Sequence, residues 1–185
     1  MSKEHLDKIV AQFPEAVVET HSLCGDHTAL VRRDKWLEVM SFVRDELGLD
    51  HFIDLTAVDY LGREQGKDRF EVVVHLRSSQ SGERLRLKAR VPENNPAIDT
   101  LCGLWQGANW FERECHEMYG IKFKGHPDLR PLLLYPEFKG YPLRKDYPID
   151  RRQPRVALLA PETGRSPRPG DETPHGHDPG FKADK

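Results

Sequence analysis

The chain has 185 residues, 37% of them apolar, and its 28 basic and 30 acidic side chains leave a formal net charge of −2. A core of about 150 residues can bury roughly 70% of its unfolded surface and fold alone, while the near-cancelled charge argues against nucleic acid or an anionic membrane surface as a partner. No apolar run approaches the roughly 18 residues of a spanning helix, and Met1 to Asp7 lacks a signal-peptide design, so the expectation is a soluble, cytoplasmic chain.

Residues 4 to 13 place Leu6, Ile9, Val10 and Phe13 at helical spacing and stop at Pro14, which predicts a short helix. Residues 16 to 22 and 27 to 32 flank the turn Cys24-Gly25-Asp26 and predict a hairpin. Asp34 is placed to cap a helix with the stripe Trp36, Leu37, Met40, Val43, Arg44 and Leu47, closed by Gly48. Three strands follow, at 51 to 60, 69 to 77 and 83 to 91, as an antiparallel meander. In the last of them Leu85, Leu87, Ala89 and Val91 alternate with Arg84, Arg86, Lys88 and Arg90, giving one apolar and one basic face. The basic face reads as a solvated surface balanced by Glu71 across the ladder, or as a docking face for an acidic surface. Asn95-Pro96 predicts a cap and first helical residue for a helix running to Tyr119, with Gly103 and Gly107 as break points.

The stretch from Trp105 to Pro148 organises the rest. Leu101, Leu104, Trp105, Ala108, Phe111, Cys115, Met118 and Tyr119 form one helical stripe, and Gly120 stands where a left-handed cap belongs. Glu112 falls inside that stripe and so requires burial with a partner, while Trp110 projects from the opposite side and requires cover. The ordinary alternatives are a carboxylate reaching water at the stripe's edge and a ring lying on a neighbouring loop. Glu117 is read on the solvent side. Pro127, Pro131, Pro136, Pro142 and Pro148 then exclude helix and predict an extended arm with Leu132, Leu133, Leu134, Tyr135, Phe138 and Tyr141 as anchors. The division is an α+β body at 1 to 120, an arm at 121 to 160 and, from its Pro, Gly and charge content, a disordered tail at 161 to 185. The architecture is α+β, a single domain with a mixed, largely antiparallel sheet of about five strands and helices packed on it.

Cys24, Cys102 and Cys115 are far apart, without C-x-x-C spacing, and neither G-x-G-x-x-G nor G-x-x-x-x-G-K occurs, so no cluster, metal, flavin or nucleotide site is expected. His175 and His177 in the tail are two histidines on a polar segment, read as solvated. An acid-base enzyme using Glu112 with His116, or Glu114 with Glu117, is the competing class, and it lacks a nucleophile or metal triad.

Glu112-Arg113-Glu114, then Glu117-Met118-Tyr119, His126, Arg130 and Leu132-Leu133 at their spacings resemble the signature of the C-type, or thirty-kilodalton, subunit of proton-pumping NADH:quinone oxidoreductase, respiratory complex I. Residues 140 to 148 resemble the family's closing segment, and the likeness covers roughly residues 1 to 150. It implies a non-redox docking subunit of the hydrophilic arm, supporting electron transfer from NADH to quinone coupled to proton translocation. The main partner it implies is the D-type subunit, the relative of the large subunit of nickel-iron hydrogenases, with the cluster-bearing B-type subunit beside it. It also implies attachment to the cytoplasmic face of the bacterial inner membrane only through the complex, and no cofactor in this chain. NADH, FMN, iron-sulfur clusters and quinone belong to the whole assembly. Membrane-bound hydrogenase-type complexes contain homologous subunits and are the variant reading.

Overall fold

Alternation of small or aliphatic residues with arginine and lysine makes one strand the centre of the fold. The structure, a computed structural model, describes residues 2–63 and 68–154. In chain order these form α1 (Ser2–Gln12), β1 (Val17–Leu23), β2 (Asp26–Val31), a 3-10 turn (Arg33–Lys35), α2 (Trp36–Asp45), β3 (His51–Asp59), β4 (Phe70–Arg77) and β5 (Arg84–Val91). A short β6 (Ala97–Asp99), α3 (Ala108–Tyr119) and a short β7 (Lys122–Lys124) complete them. The main sheet has the order β1-β2-β5-β4-β3, with β2 and β5 parallel and every other pair antiparallel. The expected α+β class with a five-stranded mixed sheet is therefore observed.

Register assigns each face its chemistry. Phe70, Val72, Val74 and Leu76 of β4 lie opposite Val91, Ala89, Leu87 and Leu85 of β5, all buried, and join Leu6, Ile9, Trp36, Val39, Met40, Val43 and Cys115 in one core. On the other face Glu71 is buried between Lys88 and Arg90, at 2.9 Å from each, and accepts a hydrogen bond from the Tyr60 hydroxyl at 3.1 Å. Part of the basic stripe is thus neutralised within the sheet, as the pairing with Glu71 required.

Three local expectations are corrected. Asp34 caps nothing: its carboxylate is held by Arg32 through two hydrogen bonds, and α2 starts at Trp36 without a side-chain cap. On α2 Trp36, Met40 and Val43 are buried as expected, but Val39 joins them while Leu37 is 42% exposed, because at 100° per residue Val39 lies nearer than Leu37 to the centre of the stripe those three define. The helix predicted from residue 96 does not form there. Ala97–Asp99 pairs in parallel with Lys122–Lys124, and α3 begins only after Gly107. Across Gly48, at φ +67°, the Leu49 amide reaches the Val43 carbonyl, the left-handed closure expected for α2.

Residues 121–153 belong to the same compact unit as the sheet, which runs from Met1 to Gln153. Beyond β7 this segment has neither helix nor strand, and it is tied down side chain by side chain. The tail at 161 to 185, with His175 and His177, lies outside the described residues.

Gly120 closes α3 at φ +76°, and a Cβ there would stand 2.5 Å from the Arg144 guanidinium and 2.6 Å from the Tyr141 ring. Both the backbone and the close approach select glycine. Gly120→Ala is expected to cost about 1–2 kcal/mol from the left-handed backbone alone. Thermal unfolding monitored by circular dichroism checks it, and an unchanged midpoint contradicts the assignment.

Candidate functional site: one helix and the strap folded over it

α3 is buried on two sides. Its first side faces the sheet, where Phe111 and Trp105 surround Phe52 at centroid distances of 5.7 and 5.8 Å. Glu112 lies within this side at 0% exposure. Its Oε1 accepts the Leu101 amide at 2.6 Å, and its Oε2 accepts the Thr100 hydroxyl at 2.5 Å. Burial pushes its carboxyl up to about 6 against these hydrogen bonds, which favour the ionised form. The buried position and the partner required by the stripe are both present, and the partners are a backbone amide, a hydroxyl and, at 3.6 Å, the Cys102 thiol.

Replacing Glu112 by Ala leaves the Leu101 amide without an acceptor and is expected to cost about 2 kcal/mol, since an orphaned buried donor costs about 1–3 kcal/mol. Urea midpoints decide this, and a variant equal to wild type would mean water already reaches the Leu101 amide.

On the second side of α3 the sequence places Glu117 in solvent, and this is corrected. Glu117 is 5% exposed, and its carboxylate accepts the amides of Leu132, Leu133 and Leu134 at 2.9, 2.9 and 3.1 Å. Helical-wheel geometry assumes one buried face; here the chain returns after Pro131 and covers another. Arg113 reinforces the same crossing by donating to the carbonyls of Arg130 and Pro131 at 2.9 and 3.0 Å. Arg130 is itself held by Asp128.

Further along, the Met118 carbonyl accepts the Leu143 amide at 3.2 Å and the Tyr119 carbonyl accepts Arg144 Nε at 2.6 Å. The Arg144 guanidinium sits over the Tyr141 and Phe70 rings at 4.3 and 5.1 Å. Tyr135 packs edge-on against Phe138 at 5.7 Å. His116 does not meet Glu112: its Nδ1 lies 2.8 Å from the Ile121 carbonyl, at the helix end. Glu114 is exposed while Glu117 is enclosed by amides, so neither acid-base pair of the competing enzyme reading is assembled.

A second fastening was not foreseen. Arg69, 5% exposed as a side chain, forks onto the fully buried Asp59 at 2.8 and 3.0 Å and also reaches Asp146 and Glu93 at 2.8 and 2.5 Å. Asp59 accepts the Lys145 amide at 2.8 Å as well. Its members come from the end of β3, the residue before β4, the turn after β5 and the strap, too distant in sequence for any local pattern to join them.

Against this enclosed framework several large side chains stay wet. Trp110 and Leu133 are each 63% exposed, on α3 and on the strap, and Tyr141 and Leu143 are partly exposed. A tryptophan and a leucine are thus left open beside backbone tied down by Glu117 and Arg113. Among the described residues the donors that converge closely enough to hold a metal are Cys102, Glu112 and His126.

A family profile described as "Respiratory-chain NADH dehydrogenase, 30 Kd subunit" matches residues 29–153. The chain is 42% identical over 142 residues to the C-type subunit of NADH-quinone oxidoreductase from Geotalea uraniireducens (strain Rf4), covering 77% of this chain and 85% of that one. It is 43% identical over 146 residues to the corresponding subunit from Roseiflexus sp. (strain RS-1), covering 78% and 82%. Among solved structures, the trypsin-resistant fragment of Nqo5 superposes with a TM-score of 0.60 at 31% identity, over 69% of this chain and 98% of that one. A chain of the membrane-bound sulfane sulfur reductase, an archaeal respiratory membrane complex, shares the fold with a TM-score of 0.67 at 24% identity, over 80% and 86%.

Proposed function

The chain belongs to the respiratory-chain NADH dehydrogenase 30 kDa subunit family, and from that membership we propose its function. It is a hydrophilic-arm subunit of NADH:quinone oxidoreductase, taking part in electron transfer from NADH to quinone coupled to proton translocation. The observation that carries this is the match over residues 29–153, which takes in β3, β4 and β5 of the sheet, α3 and the strap together.

Within the complex its role is structural: it holds neighbouring subunits and contributes no catalytic centre and no redox group. In support, Cys24 is exposed, Cys102 half-buried and Cys115 buried, all free, and burial raises the thiols of Cys102 and Cys115 and keeps them protonated. NADH, FMN, the iron-sulfur clusters and quinone then belong to other subunits. The D-type subunit, related to the hydrogenase large subunit, is the main partner, meeting the surface around Trp110, Leu133 and Tyr141, with the cluster-bearing B-type subunit nearby. No helix among the described residues is long and apolar enough to cross a membrane; on the same reading the chain attaches to the cytoplasmic face of the inner membrane through its partners.

The test is to tag the chain in its native host and follow it through size exclusion of solubilised membranes. It should co-elute with a large assembly that reduces quinone with NADH; elution at its own mass from active membranes rejects the proposal. An assembly that reduces quinone without NADH indicates the hydrogenase-type relative instead. Trp110→Glu is expected to reduce recovery in the assembly at least tenfold while leaving the urea midpoint of the isolated chain within about 0.5 kcal/mol of wild type, as for other exposed positions.

A further inference from the structure

The geometry points to a divalent-cation site of the zinc class made by Cys102 Sγ, Glu112 Oε2 and His126 Nε2, joining the turn after β6, α3 and the turn after β7. Sγ and Nε2 lie 3.6 and 4.0 Å from Oε2, and all three atoms are within 4.8 Å of one another. A point equidistant from three atoms so spaced lies about 2.5 Å or less from each, against roughly 2.3 Å for zinc to sulfur and 2.0–2.2 Å for zinc to nitrogen or oxygen. A shift of a few tenths of an ångström therefore completes the coordination.

Charge and accessibility agree with this assignment. The side chains of Glu112 and His126 are both 0% exposed, whereas Cys102 is half-buried and leaves a side open for a water as fourth ligand. Of the other buried carboxylates, Asp59 and Glu71 each have a lysine or arginine partner and Glu117 is held by three amides, whereas the one basic side chain paired with Glu112 among the described ion pairs is the imidazole of His126. Oε2 accepts the Thr100 hydroxyl, which fixes the carboxylate, and also the Cys102 thiol, so ionisation of that thiol frees a lone pair on Oε2 for the metal. A thiolate and a carboxylate balance a dication, giving a neutral cluster in place of a lone buried charge.

The imidazole must change tautomer. Its Nδ1 accepts the Asp128 amide at 2.9 Å, so Nε2 carries the proton, turned toward the Asn109 carbonyl at 3.3 Å. On binding, that proton moves to Nδ1, the thiol releases its proton to solvent, and one proton leaves per cation bound. The ring gives up its hydrogen bonds to both the Asp128 amide and the Asn109 carbonyl, which weakens binding about 100-fold, and a thiolate–imidazole–carboxylate set overcomes this. The ligands are ten and fourteen residues apart in sequence, outside any familiar spacing, which is why the expectation of no metal arose.

The experiment uses the full chain carrying His175→Asn and His177→Asn, so that the tail histidines do not compete, stripped with a chelator and titrated with zinc and with cobalt(II). One ion per chain at micromolar Kd or tighter is expected, with one proton released, thiolate-to-cobalt charge-transfer absorption, and zinc protection of Cys102 from alkylation. Cys102→Ser, nearly isosteric, should weaken zinc binding about 100-fold and abolish the charge-transfer band, while Cys24→Ser changes neither. Less than one ion per chain, or Cys102→Ser binding like the parent, overturns the site. His126→Gln is expected to match Cys102→Ser, and if it unfolds, the Cys102→Ser titration and the alkylation measurement decide alone.

Discussion

Arg69→Met is expected to lower the unfolding free energy by about 3–5 kcal/mol, the usual cost of removing one member of a buried ion pair. The two side chains are 5% and 0% exposed, and Arg69 supplies two of the hydrogen bonds that Asp59 accepts. Without it Asp59 keeps only the amides of Leu61 and Lys145, at 2.9 and 2.8 Å, and no counter-charge. Because Asp146 and Glu93 lean on the same guanidinium, the strap loosens with the core. Burial raises the Asp59 carboxyl, but hydrogen bonds from Arg69 and from the Lys145 and Leu61 amides outweigh it and hold the group below the ordinary carboxylate range. A depressed folded-state pKa contributes stability above the unfolded value of about 3.9, and that stability is lost as pH falls through the folded value. The difference between wild type and Arg69→Met should therefore be full at pH 7 and shrink below about pH 4. Urea unfolding at both pH values checks it, and a penalty under 1 kcal/mol at pH 7 would refute the clamp. Adding Asp59→Leu to Arg69→Met should cost less than the sum of the single changes, because no uncompensated charge then remains.

That clamp shows where sequence reading stops. The alternation in β5 is legible because each residue's face follows from its own position in a period of two, with Leu85, Leu87, Ala89 and Val91 all buried. Gly120 is legible for the same local reason: a helix ending in a left-handed residue is a property of four or five neighbours. Glu112 could be placed because its angle on α3 conflicts with its charge. The larger failures are non-local, with Asp34 the local exception. Asn95-Pro96 carries a sound helix-start signal, yet residues 97–99 instead find hydrogen-bonding partners at 122–124, beyond a whole helix. Asp34 has the right chemistry for a cap, but Arg32, two residues away, satisfies it first. The Cys102, Glu112 and His126 cluster depends on that same unforeseen β6–β7 pairing, which carries the turns at 100–102 and 125–126 to the start of α3.

Glu117 is the sharpest of these cases, and its replacement by Ala is expected to cost about 3 kcal/mol. Three strap amides share its carboxylate, at 2.9 to 3.1 Å, and each orphaned donor costs about 1–3 kcal/mol, with the lower value apt for a half-buried loop that water can reach. Glu117→Gln keeps one acceptor oxygen in place of two, so it should fall between Ala and wild type. Stability alone does not show which segment loosens, and limited trypsin digestion does. In the strap Arg130 precedes Pro131, which blocks tryptic cleavage there, so Lys139 is the first open site after the Glu117 contact. Its cleavage should accelerate at least tenfold in Glu117→Ala while cleavage at Lys35 and Arg44, just before and within α2, stays at the wild-type rate. The strap residues that Glu117 fixes include Leu133, 63% exposed, so the same variant should dock poorly in the assembly although no contacting side chain has been altered. Wild-type digestion together with a wild-type urea midpoint would show that the strap is held by its other contacts, Arg113 on the Arg130 and Pro131 carbonyls and Arg144 on Tyr119, and that the buried carboxylate is dispensable.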